Sequence, residues 1–206
     1  MICCLVLFVI IAYYQRQWVY VFGGLTAVVL SLIPFILKKN YHFTLPLPLE
    51  LLIVTSLFFH VGGEVLGGYR YVPHYDTLTH FISGFTVAFL AFVIIYILHV
   101  YWDGLVMDKY AMAFLVVLCA IAMGVVWEIA EWFSDMVFST NTQWSYQDTI
   151  KDLAVDTIAG VIVAVISVNM IKKGTFQVMT HDLGSQIDKK IIQKMQEKSK
   201  NKKEES

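Results

Sequence analysis

Apolar runs long enough to cross a bilayer alternate along this chain with short polar breaks. Each helical residue rises ~1.5 Å and the hydrocarbon core is ~30 Å thick, so a span takes about 20 mostly apolar residues. Six apolar segments follow: Ile2 to Tyr14, Trp18 to Leu37, Leu49 to Leu66, Thr77 to Tyr101, Tyr110 to Phe138 and Lys151 to Ile171. The first falls short of a full span, so the count is six with it and five without it. Pro46 and Pro48 punctuate the start of the third, and lysine pairs close the second (Lys38, Lys39) and the sixth (Lys172, Lys173). The pattern predicts an all-α polytopic transmembrane helical bundle over residues 1–173, followed by a lysine-rich tail over 174–206. Within the tail, Ile187, Ile191, Ile192 and Met195 recur at helical spacing among lysines. That stretch reads equally as an amphipathic helix on the inner leaflet or as a solubilising extension.

Composition supports the membrane class. The chain is 58% hydrophobic and 15% charged, whereas soluble domains carry about 25% charged residues. Cys3, Cys4 and Cys119 lie in apolar segments, without disulfide or zinc spacing, and read as small buried hydrophobes. The N-terminal run lacks a basic leader and a small-residue cleavage site, so it reads as a retained helix. Nothing in the sequence points to nucleic acid.

Charge sets the expected orientation, because lysine and arginine concentrate in cytoplasmic loops. Lys172, Lys173 and the tail go to the cytoplasm. Loop 139–150 then falls outside, 103–109 inside, 67–76 outside and the Lys38/Lys39 loop inside. With six spans both termini are cytoplasmic, in a bacterial inner membrane. Arg16 and Arg70 fall outside, against the trend. Trp132, Trp144, Tyr69, Tyr71 and Tyr75, with Tyr101 and Trp102 at the other end, read as interfacial aromatic belts.

Residues 1–173 hold eleven carboxylates, and eight of them fall in four short clusters. These are His60-x-x-x-Glu64, Asp76-x-x-x-His80, Glu128-x-x-Glu131-x-x-x-Asp135 and Asp148-x-x-x-Asp152-x-x-x-Asp156. Spacings of three and four put each set on one helix face. The loop charges place all four sets at the extracytoplasmic end. A carboxylate at a helix centre costs ~2.5–3.5 kcal/mol on insertion scales, so such residues are expected to face the bundle interior and to have partners. Arg16, Arg70 and Lys151 are too few to neutralise eight acids. Carboxylates and imidazoles converging from facing helices are how bundles hold metals; a mixed His/carboxylate set suits Zn, Mn or Fe, and pure carboxylate clusters suit Mg or Ca. The expected ligands of a divalent ion are His60, Glu64, Asp76, His80, Glu128 and Asp152. Glu131, Asp135 and Asp156 are expected behind them or as a general base. Asp148 also reads as part of a Ser145-x-x-Asp148 helix cap.

The joint motif set, His60-x-x-x-Glu64, Tyr75-Asp76-x-x-x-His80-x-x-x-Gly84, Trp127-Glu128-x-x-Glu131 and Asp148-Thr149-x-x-Asp152-x-x-x-Asp156-x-x-x-Gly160, resembles the YjdF-type bacterial inner-membrane proteins over most of residues 20–172. The resemblance implies a location and a fold, and no reaction. The pieces from Asp76 to His80 and from Glu128 to Gly160 are distantly similar to the VanZ-like membrane proteins. Here Thr77 stands where that family has Lys, and Asp156 where it tends to have Asn. That likeness implies an envelope role.

Three functions remain open on the sequence. The first is metal-dependent chemistry on a lipid-linked or envelope substrate, against which no basic cluster is evident for an anionic headgroup. The second is a cation or proton-coupled transporter, against which the inner halves of the helices are plainly apolar. The third is an accessory membrane protein whose acids form a purely structural network.

Overall fold

The computed structural model describes residues 1–41, 44–101 and 106–174. The tail beyond Gly174 and Trp102 lie outside the described residues, so the inner-leaflet helix and that part of the inner aromatic belt are not visible. The described residues form seven helices: α1 Ile2–Tyr14, α2 Trp18–Tyr41, α3 Leu47–Leu66, α4 Gly68–Tyr71, α5 Tyr75–Tyr101, α6 Lys109–Phe138 and α7 Tyr146–Lys172. Among the described residues there is no strand. Five of the helices, α2, α3, α5, α6 and α7, are long and apolar enough to cross a membrane. With 13 residues, α1 reaches only about 20 Å and does not cross on its own.

Local chemistry fixes the helix ends. Pro46 precedes α3 and Pro48 sits in its first turn, where a missing N–H costs nothing. Asp108 caps α6, accepting from the Tyr110 and Ala111 amides at 2.7 and 3.2 Å. The Ser145 hydroxyl accepts from the Asp148 amide at 3.2 Å, so α7 begins at Tyr146, one turn before the apolar run. The additional helix, α4, lies between two residues in the left-handed region, Gly67 (φ 76°) and His74 (φ 59°). These two bends fold the α3–α5 connection back over the end of the bundle.

The helices form two sets of three. α5, α6 and α7 pack on one another most extensively, α1, α2 and α3 form the second set, and α3 against α5 joins them. Small residues allow the closest approaches. A Cβ on Gly160 of α7 would lie 2.7 Å from Ala120 of α6, and one on Gly24 of α2 would lie 2.7 Å from Val9 of α1, the packing that small residues give between membrane helices. One apolar core is built on Leu49, Phe92, Val116 and Val163, and the other on Leu5, Phe8 and Val61. Cys3 and Cys4 are exposed on the outer surface of α1 rather than buried.

Alternating helix directions bring the acidic clusters to one end, where α3 and α6 finish and α5 and α7 begin. Lys38, Lys39, Lys109 and Lys172 lie at the other. There the Lys109 and Lys172 ammonium groups sit over the Tyr110 ring, 5.4 and 6.0 Å from its centroid.

Candidate functional site

His80, in the second turn of α5, is the centre of the acidic end. Its ring is 6% exposed, with Nδ1 3.3 Å from Asp156 Oδ2 on α7. The Asp156 carboxylate is seated between two glycines. A Cβ on Gly84 of α5 would lie 2.7 Å from Oδ1, and one on Gly124 of α6 would lie 2.6 Å from Oδ2. Any larger residue at either position meets the carboxylate. With Nδ1 held by Asp156, Nε2 turns the other way, to Asp76 Oδ1 at 3.7 Å and Glu128 Oε1 at 3.9 Å. Asp76, His80 and Asp152 each offer one ligand atom, and these atoms lie within 4.8 Å of one another.

The group is carboxylate-rich and, apart from the partly exposed Asp76, buried. Glu128 is 6%, Asp152 2% and Asp156 4% exposed. Glu128 Oε1 and Asp152 Oδ1 are buried without a hydrogen-bond partner. Lys151 is the nearest base, 2.5 Å from Asp148 Oδ1 and 3.7 Å from Asp152 Oδ1. Asp148 therefore belongs to the rim with Lys151 and to the start of α7.

His60 and Glu64 form a second, adjacent group. His60 Nε2 is 3.7 Å from Glu64 Oε1 and Nδ1 is 2.8 Å from the Tyr69 hydroxyl. Burial pushes the Tyr69 phenol above its ordinary range, so it keeps its proton and can donate it to Nδ1. The Trp127 ring stands edge-on to His60 at 4.9 Å, and its Nε1 donates to Glu131 Oε1 at 3.0 Å. Tyr75 donates to the Phe59 carbonyl at 2.6 Å. Tyr69 and Tyr75 thus turn into the bundle rather than forming a belt. Gly63 gives them room, since a Cβ there would overlap the Tyr75 ring and approach Tyr69 at 2.8 Å. Asp135 is occupied elsewhere. Its Oδ1 accepts from the Thr140 hydroxyl and from the Thr142 amide and hydroxyl, and its Oδ2 from the Gln143 amide. Of the sequence-derived candidates, Asp76, His80, Glu128, Asp152 and Asp156 come together. His60, Glu64 and Glu131 line a neighbouring cavity of about 570 Å³, and Asp135 clasps the α6–α7 connection.

That cavity also touches Asp76. Asp76 in turn borders a smaller recess of about 250 Å³ that gathers Arg70, His74 and Lys151. These residues come from α4, the bend after it and α7, and they share the recess with Asp76 and Asp148, the latter paired with Lys151.

The sequence profile of the predicted membrane protein family DUF2238 matches residues 1–173, the whole helical bundle. The chain belongs to that family. An uncharacterized protein of Thermotoga maritima is 32% identical over 127 residues, 61% of this chain and 64% of that protein. This chain therefore spans less than two thirds of that relative's length. No solved structure matches.

In this DUF2238 chain the acidic end can do two things chemically. A carboxylate behind a histidine fixes the tautomer and raises the basicity of the other ring nitrogen, the usual support of a metal-bound imidazole. Three further carboxylates face that nitrogen with more negative charge than Lys151 can offset. The residues least visible in the sequence are Gly84, Gly124 and Tyr69. The i+4 step from His80 to Gly84 was the one available signal.

Proposed function

We propose that this membrane protein holds a divalent cation among Asp76, His80, Asp152 and Glu128, with Asp156 orienting His80, and uses it on a phosphate-bearing, lipid-linked or other envelope substrate. The observation that carries this reading is the convergence of Asp76, His80 and Asp152, whose ligand atoms lie within 4.8 Å of one another, beside two buried oxygens, Glu128 Oε1 and Asp152 Oδ1, that accept no hydrogen bond. A buried polar oxygen left without a hydrogen bond costs roughly 1–3 kcal/mol. A cation meets that demand at both oxygens, and its chemistry there would be to polarise a phosphoryl oxygen or activate water. The donor set suits Zn, Mn or Fe. Glu131, one turn beyond Glu128 and on the cavity wall, is the general-base candidate. His60 and Glu64 serve the cavity, and Asp135 serves the loop.

The lysines at the opposite end favour a cytoplasmic-membrane orientation with the acidic end outward. The motif-level resemblance to YjdF-type and VanZ-like membrane proteins supports an envelope setting. A transporter is disfavoured by packing: Leu49, Phe92, Val116 and Val163, all fully buried, fill the half of the bundle nearer the lysines with apolar side chains. A purely structural network is less favoured, since it would bring its members into hydrogen-bond contact, whereas His80 and Lys151 stand 3.9 and 3.7 Å from Glu128 Oε1 and Asp152 Oδ1.

Metal analysis of the protein purified without chelators tests the reading. About one equivalent of a transition metal is expected, and it should be lost in His80→Ala and Asp152→Asn. A metal-free wild type, with both variants as thermally stable as the parent, would sink it.

A further inference from the structure

Two recesses meet at Asp76. The larger carries carboxylates, Glu64 and Glu131, beside Tyr20 and Trp127. The smaller carries Arg70, His74 and Lys151 together with Asp76 and Asp148, and Lys151 is held by Asp148. Tyr69, Arg70, Tyr71, Asp76 and Trp144 line both, so the two share a wall, and Arg70 brings a guanidinium to the recess that Glu64 and Glu131 line.

We infer that the larger recess binds a zwitterionic phosphate-ester headgroup, with phosphate on Arg70 and ammonium against Trp127, Glu64 and Glu131. Carboxylates and aromatic rings together attract an ammonium group, and an arginine without an ion-pair partner attracts a phosphate. Among the described residues the ion pairs within 4 Å leave Arg70 out, so its charge is available. A polyanion such as a nucleotide would set its further phosphates against Glu64 and Glu131. A plain hydrocarbon would dehydrate the same carboxylates without replacing their partners. The volume falls within the range of about 300–1,000 Å³ typical of ligand sites. Leu66, Trp127 and Trp144 line the cavity and are also exposed on the outer surface, which gives acyl chains a path to the bilayer. The inference deepens the proposed function and rests on it for any reaction. Recognition of the headgroup is measured separately.

The test uses full-length protein in detergent, treated with chelator so that the divalent cation plays no part. It is offered a mixture of phosphatidylethanolamine and phosphatidylglycerol and read by native mass spectrometry, then titrated with soluble phosphoethanolamine against glycerol phosphate. Preferential retention of the ethanolamine species is expected. Glu131→Gln and Arg70→Gln should each weaken it by about tenfold, the loss of one charge-assisted contact. Glu131→Gln keeps an oxygen for the Trp127 donor and Arg70 is on the surface, so both variants should fold. Binding of soluble phosphoethanolamine assigns the site to a free phosphate ester, and binding of the intact phospholipid alone assigns it to the bilayer. Equal retention of the two phospholipids, or unchanged affinity in both variants, overturns the inference. A chelated protein that still selects the ethanolamine headgroup, from a preparation that never contained metal, would leave this inference standing while the cation reading fell.

Discussion

At the residue scale the organising contact is Asp156 to His80. It decides which imidazole nitrogen is free, and it depends on two glycines on other helices. Asp156→Asn removes the charge and keeps the shape, so metal affinity should fall about 10–100-fold with little loss of fold. Gly124→Ala acts on the same contact by volume. A methyl 2.6 Å from Oδ2 must displace the carboxylate, costing about 1–3 kcal/mol as well as metal. Thermal melts with and without chelator separate the two: Asp156→Asn should lose mainly the metal-dependent part of its stability, and Gly124→Ala both parts. The membership of His80 and Asp156 in an inward-facing acidic set was legible from their spacing. Their pairing was not, because a spacing of four names a helix face and leaves open which neighbour it meets. His60 and Glu64 illustrate the same limit. They share a face as the sequence requires, yet that face is turned to Tyr69 and Trp127 rather than to His80.

At the element scale, connections between helices do as much as the helices. The left-handed residues Gly67 and His74 frame α4 and bring Arg70 to within one recess of Lys151, 81 positions later in the chain. Apolar periodicity contains no signal for a four-residue helix, so this piece and the recess it makes were invisible in advance. The five long helices were plain because a membrane span is a matter of length and composition alone. On the other side, one side chain makes most of the hydrogen bonds that hold the α6–α7 connection, with Ser134 and Thr149 adding one each. Asp135→Ala removes four hydrogen bonds to residues 140–143, each charge-assisted contact contributing about 1.5–3 kcal/mol. The expected result is a protein that keeps its helices by circular dichroism but is cleaved by protease in the 139–145 segment far faster than the parent. An unchanged cleavage rate would mean that the loop is held by something else.

At the scale of the whole molecule, eight carboxylates gather at one end, Lys38, Lys39, Lys109 and Lys172 lie at the other, and packed aliphatic and aromatic side chains lie between. Single-cysteine reporters check the orientation in intact cells. A cysteine at Thr142 should react with a membrane-impermeant maleimide, and one at Asn40 only after the cells are opened, in a background where Cys3, Cys4 and Cys119 are serine. The reverse pattern would turn the molecule over. The apolar side chains have an electrical consequence. Carrying one elementary charge across the whole membrane field involves about 2.3 kcal/mol per 100 mV, but a charge reaching a centre within the first three turns of α5 and α7 crosses only a part of that field, with the fully buried Phe92 and Val116 beyond it. If the bundle is a cup rather than a conduit, what happens at His80 should run almost equally well in energised and in depolarised cells.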